Sequence, residues 1–396
     1  ANILKVMSLH RVSDIYGPLP VLHFGETENP YNSQEECYMH FFETLDSAIA
    51  VLKDVVENNP DAKPLEEVDA LYHGDYSKWL KLANSVKLRL AMRICYVKPD
   101  LAKQYAMEAV RDGVMETADD SALFQSWGSI TIINPLEKIW NGYSDTRMGA
   151  SMDSYLNGYN DPRLPVYFQP VTEGDNKGEY RGVANGMPNP QQDDYKAMSA
   201  PNVQEKSTDS PLRWMMASEV AFLRAEGAMR GWTAEMGGTA EEFYNKGIEL
   251  SFLENGLSAD AAARYAADET SKPTDFTDVS AANTKYNISA LGKITIKWNA
   301  GASEEEQLER IITQKWIAMF PNGTEAWSEF RRTGYPLIFP VRSNYPTSGV
   351  DTNKQIRRMV FPQSEYSNNG AAVQEAVKLL GGPDNGGTKL WWDKKN

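Results

Sequence analysis

The chain has few of the residues that usually carry reaction chemistry. Its 396 residues include four histidines (His10, His23, His40 and His73) and two cysteines (Cys37 and Cys95). No histidine stands in a His-Glu-x-x-His arrangement or four residues from another, which argues against a zinc site of known pattern. Two cysteines make neither a disulfide framework nor a ligand set, and both fall in helical patterns as buried thiols. A Gly-x-Ser-x-Gly elbow, a Walker loop and a Gly-x-Gly-x-x-Gly turn after a strand are all missing. Positive charge is short as well. The net charge of −14 repels phosphate backbones and anionic lipid heads, so the reading includes no nucleic-acid partner. No segment approaches the ~18 apolar residues of a membrane-crossing helix.

Carboxylates are harder to set aside, because glycosidases need only two of them close together. Asp119-Asp120 and Asp193-Asp194 read as solvated turns, while Asp145 and Asp161 lie among aromatics and are the better candidates. Asp384-Asn385-Gly386 could offer oxygens to a structural calcium, although its spacing falls short of an EF-hand loop. No other cofactor is called for.

What the chain does have is aromatic surface. Ten Trp and 19 Tyr exceed what a helical core of this size needs, and several fall in Gly/Asn/Asp-rich loops. Such rings either stack on flat, weakly polar ligands such as sugars or pin long loops to the body. Both readings stand for any single residue.

Helical periodicity is strong at the front. Residues 2–15 form one helical pattern, closed by Tyr16-Gly17-Pro18-Leu19-Pro20. Ser33 and Glu36 make a capping box before a helix with Phe41, Leu45, Ala48, Leu52 and Val55 on one face. Asp75 opens a third helix that stops before Pro99, and a fourth follows at once with Gly113 as its cap. So short a connection makes an antiparallel pair. Between residues 121 and 211 the period fades, apart from a short helix over 148–156. A helix is expected from Leu212 to about Gly231, and Thr239 with Glu242 caps another. Small residues mark the crossing of that pair, in the manner of tetratricopeptide-like repeats. Residues 256–302 read as polar, with a short strand at 293–298, and a last helix spans 372–380.

The best-specified stretch is 303–336. Ser303 and Glu306 form a capping-box pattern, and Leu308, Ile311, Ile312, Trp316 and Met319 line one face. Pro321-Asn322-Gly323 ends that helix. A second short one then buries Trp327 and Phe330, with Gly334 at a left-handed C′ position. Nothing in these residues asks for chemistry.

Its motifs, however, are distinctive. Gln-Lys-Trp-Ile-Ala at 314–318, Pro-Asn-Gly at 321–323 and Arg-Arg-Thr-Gly-Tyr-Pro at 331–336 resemble the SusD/RagB family of nutrient-binding outer-membrane lipoproteins of the Bacteroidetes. Further stretches agree in order. They are Tyr-Gly-Pro-Leu-Pro at 16–20, residues 79–89, Asp-Pro-Arg-Leu-Pro at 161–165, residues 219–232, Arg-Met-Val-Phe-Pro at 358–362 and Leu-Trp-Trp-Asp at 390–393. The resemblance covers nearly the whole chain. Family members also carry a signal peptide, a lipidated cysteine and an initial helical segment before the Tyr-Gly-Pro turn. None of these is present here, so the sequence is expected to be truncated at its front.

The resemblance implies a mainly α protein. Tetratricopeptide-like helical pairs would form a scaffold, backed by a loop-rich irregular ligand-binding face with few short strands. It implies one domain over 1–396, with helical-repeat parts at about 1–115, 212–256 and 303–332 and loop-rich parts at about 116–211 and 333–396. The expected function is non-catalytic binding of a glycan at the extracellular face of the outer membrane, for delivery to a SusC-like TonB-dependent transporter. The only membrane contact would be a lipid anchor that this chain lacks. A peptide ligand, a glycoside hydrolase on a helical scaffold and a repeat scaffold for a protein partner are the alternatives. The family supplies no universal ligand motif, so the candidate site rests on chemistry and position. Trp127, Trp140 and Tyr143 offer stacking faces, and Asn141, Asp145 and Arg147 stand beside them to hydrogen-bond sugar hydroxyls. Trp79, Trp316, Trp327, Trp391 and Trp392 are assigned to packing.

Overall fold

The computed structural model describes residues 1–26, 29–188, 190–202 and 210–395, with the side chain of Asn141 outside that description. The front of the chain folds as helices α1 (Asn2–Tyr16), α2 (Gln34–Asn58), α3 (Tyr76–Arg93) and α4 (Pro99–Arg111). Their starts are fixed locally. Ser33 Oγ accepts from the Glu36 amide while the Glu36 carboxylate accepts from the Ser33 amide, a complete box. Asp75 accepts from the Ser77 and Lys78 amides at the head of α3. Each of α2, α3 and α4 packs on the helix before it.

Strand β1 (Ala122–Phe124) then pairs antiparallel with β2 (Leu212–Met215), Leu123 opposite Arg213. The helix expected from Leu212 therefore begins later, as α6 (Ala217–Met229), because the preceding residues are drawn into this ladder. Between the strands lies α5 (Ala150–Gly158), set two residues later than expected. Helix α7 (Ala240–Leu253) starts from the complete Thr239–Glu242 box and packs along α6. Their approach is as close as the small residues suggested. A Cβ on Gly247 would stand 2.7 Å from the Phe222 ring.

A helix that the sequence reading missed, α8 (Ala259–Ala266), follows within the polar stretch, capped by Ser258. The strand expected at 293–298 is not formed. Among the described residues that segment forms no strand ladder, its only backbone-to-backbone bond to another segment being Lys297 N to Asp268 O at 2.8 Å. Two of its carbonyls are taken by tyrosines: Ile294 O by the Tyr159 hydroxyl at 3.2 Å and Ile296 O by the Tyr244 hydroxyl at 2.5 Å. Helices α9 (Glu304–Ala318) and α10 (Gly323–Thr333) follow, the latter closed by Gly334 at φ 82°. The box at the head of α9 is only half made. Ser303 accepts from the Glu306 amide, but the Glu306 carboxylate pairs with Arg310 at 2.6 Å. Helix α11 (Gln363–Leu380) is longer than expected and breaks helical geometry at Asn369.

The result is a mainly α protein of tetratricopeptide-like helical pairs with irregular loops. One apolar core gathers α1–α4 and α6, and a second gathers α5, α7 and α9. The end of the chain returns to its beginning. Trp392 is fully buried, its indole N–H donating to Asp14 at 2.9 Å, and Trp391 lies against Tyr38 with ring centroids 5.8 Å apart.

Between the helices runs a seam of buried charge that the apolar pattern did not show. Arg89 grips Glu219 through two bonds of 2.7 Å, and Arg93 reaches both Glu325 and, at 2.9 Å, Glu329. Lys315 stands 3.0 Å from Glu329. Arg332 bonds both Glu226 and Glu329. All are at least nine-tenths buried. Burial alone would push these acids up, but the facing cations outweigh it and hold Glu226, Glu325 and Glu329 below the usual carboxylate range. The seam joins α3, α6, α9 and α10.

Candidate functional site

The loop after β1 is shaped by local chemistry. Trp127 and Ile130 close a tight turn through two backbone hydrogen bonds. Asn134 Oδ1 accepts from the Leu136 amide, and Pro135 takes the first helical position, where its missing N–H costs nothing. The chain then widens into a π-helical turn, Lys138–Tyr143, ended by Ser144 in the left-handed region at φ 54°. Such turns are rare and often mark functional sites.

This turn presents two aromatic rings. Tyr143 is 59% exposed, with the Lys138 ammonium 5.9 Å from its centroid. Trp140 is half-buried, its ring covered on one face by the Arg147 guanidinium at 4.8 Å. Arg147 itself is spent on the backbone. It donates to the carbonyls of Ser144 at 3.1 Å, Thr146 at 2.8 Å, Tyr195 at 3.2 Å and Lys196 at 2.7 Å. It therefore ties the turn to the 192–196 segment and backs the indole, instead of standing free beside it.

Beside the turn lies a cleft of about 330 Å³, lined among others by Asp145, Arg147, Asn185, Gln192 and Lys196. Asp145 is exposed at its rim. Gln192 donates to the carbonyls of Tyr143 at 3.4 Å and Ser144 at 3.2 Å. The structure thus brings Trp140, Tyr143, Asp145 and Arg147 together. Asn141 shares the turn, but its side chain lies outside the described residues.

Trp127 is held elsewhere. Its ring lies on His73 with centroids 3.6 Å apart, and its indole N–H donates to Glu66 O at 2.7 Å. Among the described residues no hydrogen bond or ring contact joins it to Trp140 or Tyr143. Asn185, Gln192 and Lys196 were not foreseen as lining. Their polar, proline-flanked stretch gave only a turn signal.

The other candidates resolve into structure. Asp161 is buried in a pair with Arg163 at 2.7 Å and takes the Tyr265 hydroxyl at 2.8 Å, so it does not face a ligand. The Asp384 carboxylate is occupied by Arg358 and by the Tyr366 hydroxyl at 2.6 Å. Among the described residues one group of potential metal ligands gathers, His10, Asp14 and Glu325. The Arg93 guanidinium already stands among them, 3.6 Å from Asp14 and bonded to Glu325. That supplies the positive charge a metal would bring.

A helical-repeat scaffold that presents a loop-built recognition surface is a class of protein, and the comparisons name its family. The model of SusD-like proteins, described as SusD and RagB outer membrane lipoproteins, matches residues 1–393. A chitin-binding SusD homologue from Flavobacterium johnsoniae is 42% identical with a TM-score of 0.93, covering 100% of this chain and 80% of that one. A SusD homologue from Bacteroides vulgatus is 37% identical at TM-score 0.93, with 100% and 78% covered. A SusD-like protein from Bacteroides thetaiotaomicron is 41% identical at TM-score 0.92, with 100% and 81% covered. A search of the curated proteins finds none that matches. The chain belongs to the SusD/RagB family of outer membrane lipoproteins.

Proposed function

We propose that this protein is a non-catalytic glycan-binding lipoprotein of the outer cell surface. It holds an oligosaccharide on the Trp140–Tyr143 ledge and passes it to a SusC-like TonB-dependent transporter. The observation that carries this reading is the backed indole. Arg147 covers one face of Trp140 and also lines the neighbouring cleft, so the ring is pre-ordered close to polar rim groups, an arrangement in which a sugar ring can stack and its hydroxyls find partners. Tyr143 extends the ledge, and Asp145, Gln192 and Lys196 supply acceptor and donor groups at the rim. Asn141, on the same turn, remains a candidate for its flank. The reading needs no cofactor.

The chitin-binding relative makes chitin oligosaccharides the first ligands to try. Titration calorimetry with these, with other neutral glycans and with peptides tests the proposal. Heat with a glycan, lost in Trp140→Ala, is the expected result, and heat with peptides alone overturns it. Release of reducing sugar abolished by Asp145→Asn would instead make the protein a hydrolase. Pull-down of the full-length protein from outer membranes should retrieve a large transporter, and its absence would count against that partner.

A further inference from the structure

A second groove, of about 460 Å³, shares no lining residue with the cleft beside the ledge. Its walls include Arg11, Tyr167, Arg213, Trp214, Asn255 and Phe320. Two buried polar atoms in these walls, Arg213 Nη1 and Asn255 Oδ1, have no hydrogen-bond partner among the described residues. Arg213 spends only Nη2, on Glu254 O at 3.3 Å. Asn255 spends only its amide nitrogen, on Ser251 O at 2.6 Å and the Tyr167 hydroxyl at 3.3 Å. A buried donor and a buried acceptor left open in one groove are costly unless something joins them.

Two cations of this groove also have no carboxylate within salt-bridge distance among the described residues. The buried guanidinium groups of Arg89, Arg93, Arg163, Arg332, Arg357 and Arg358 each hold a carboxylate. Among the described residues Arg213 and Arg11 form no ion pair, as the fully buried Arg331 also does not; Glu254 feels the charge of Arg213, and Arg11 that of Glu325 and Glu219, from beyond contact distance. An unpaired guanidinium fits a carboxylate, and an open amide oxygen accepts from a hydroxyl. Trp214 is stacked on Phe124 at 4.5 Å, which fixes its ring and leaves the indole as a flat wall of the groove. Phe320 adds a further apolar surface. An inorganic anion would use the guanidinium groups but neither the ring nor the acceptor. A peptide carboxylate brings a hydroxyl only where a Ser, Thr or Tyr happens to stand beside it.

We propose that this groove is a subsite for a sugar that carries a carboxylate, such as a hexuronic acid or a sialic acid. The carboxylate sits on Arg213 and Arg11, a ring hydroxyl donates to Asn255 Oδ1, and the sugar lies against Trp214. This subsite is independent of the Trp140–Tyr143 ledge.

The test is calorimetric titration of the 396-residue chain with oligogalacturonate and with sialyllactose. The methyl-esterified and desialylated counterparts and an acidic peptide are run beside them. At least one acidic sugar should bind, and its neutral counterpart should bind at least roughly tenfold more weakly, the scale of a lost charge-assisted hydrogen bond. Which of the two binds identifies the source of the carboxylate. Arg213→Met should weaken binding by roughly tenfold or more, and the more exposed Arg11→Gln should do so less. Neither should change the titration of a neutral glycan on the ledge. No heat with either acid overturns the proposal, as does equal binding of acid and neutral counterpart, an acidic peptide bound as tightly, or both variants leaving affinity unchanged. Acid-sugar binding without neutral-glycan binding would sink the ledge reading and leave this one standing.

Discussion

Arg332 on α10 clasps Glu226 on α6 with two bonds of 2.7 and 2.6 Å, although 106 residues separate them in the chain. Its Nη2 also reaches Glu329 at 2.6 Å, and through that carboxylate the contact extends to Arg93 and Lys315. Each charge has been removed from water, and each therefore depends on its partner being present.

Removing one side should be expensive. Arg332→Met leaves Glu226 and Glu329 buried with less positive charge, and is expected to destabilise the fold by about 3–5 kcal/mol. Urea unfolding of the single variant and of Arg332→Met with Glu226→Leu checks this. The double variant should lose less than the sum of the two single changes.

The same seam sets the response to acid. In the folded protein Glu226 and Glu325 are lowered from 4.5 to about 2, by cations that outweigh their burial. Their stabilisation is fully present above the unfolded value and is lost as pH falls through the folded one. Unfolding free energy should therefore drop steeply as pH falls from 4.5 to about 2. A flat profile through it would contradict the arrangement.

Glu309 should behave in the opposite sense. Burial raises it from 4.5 to about 7, and its Oε1 has no hydrogen-bond partner among the described residues. Folding then favours the protonated form, so its ionisation penalises the fold progressively as pH rises through that interval. Glu309→Gln is expected to raise stability by about 1–3 kcal/mol at about pH 8, with little gain at about pH 4, as read by thermal melts at both values.

Gly247→Ala tests the close crossing of α6 and α7. The added methyl would meet the Phe222 ring at 2.7 Å, and displacing a fully buried ring is expected to cost about 1–3 kcal/mol. Chemical denaturation measures it, and a neutral result would mean that the ring can yield.

At the ledge, Trp140→Ala should weaken glycan binding by roughly tenfold or more, the cost of losing an aromatic anchor. Arg147→Met should weaken it less, because the ring remains but its support is gone. Calorimetry is paired with melting curves, which should stay near the parent value for Trp140→Ala because the ring is only half-buried.

Much of the scaffold was legible because its signals are local. The Ser33–Glu36 and Thr239–Glu242 boxes, the Asp75 cap and Gly334 all act within a few residues of their own position, and each stands where the pattern put it. Local pattern failed where a distant partner decides. Leu212 joins a strand because Ala122–Phe124 is there to pair with it. The 293–298 segment gives its carbonyls to Tyr159 and Tyr244 instead of a neighbouring strand. The local geometry of the candidate site was legible in part for the same reason. The aromatic turn could be picked from composition, but the role of Arg147 depends on Tyr195 and Lys196, 48 and 49 residues away. Trp127 has the composition of the ledge and the contacts of a peg under the 65–74 segment.

The charged seam has a consequence for how such a chain can drift. On the proposed reading, a ledge residue such as Tyr143, whose ring neighbours the exposed Lys138 ammonium, can be exchanged without stranding a buried partner, so ligand preference could wander from one descendant to the next. Glu329 cannot, because Arg93, Lys315 and Arg332 would all be left facing an empty place. Lineages that part over what they bind would therefore still share the seam, and their kinship would be read most clearly in residues that never meet the ligand.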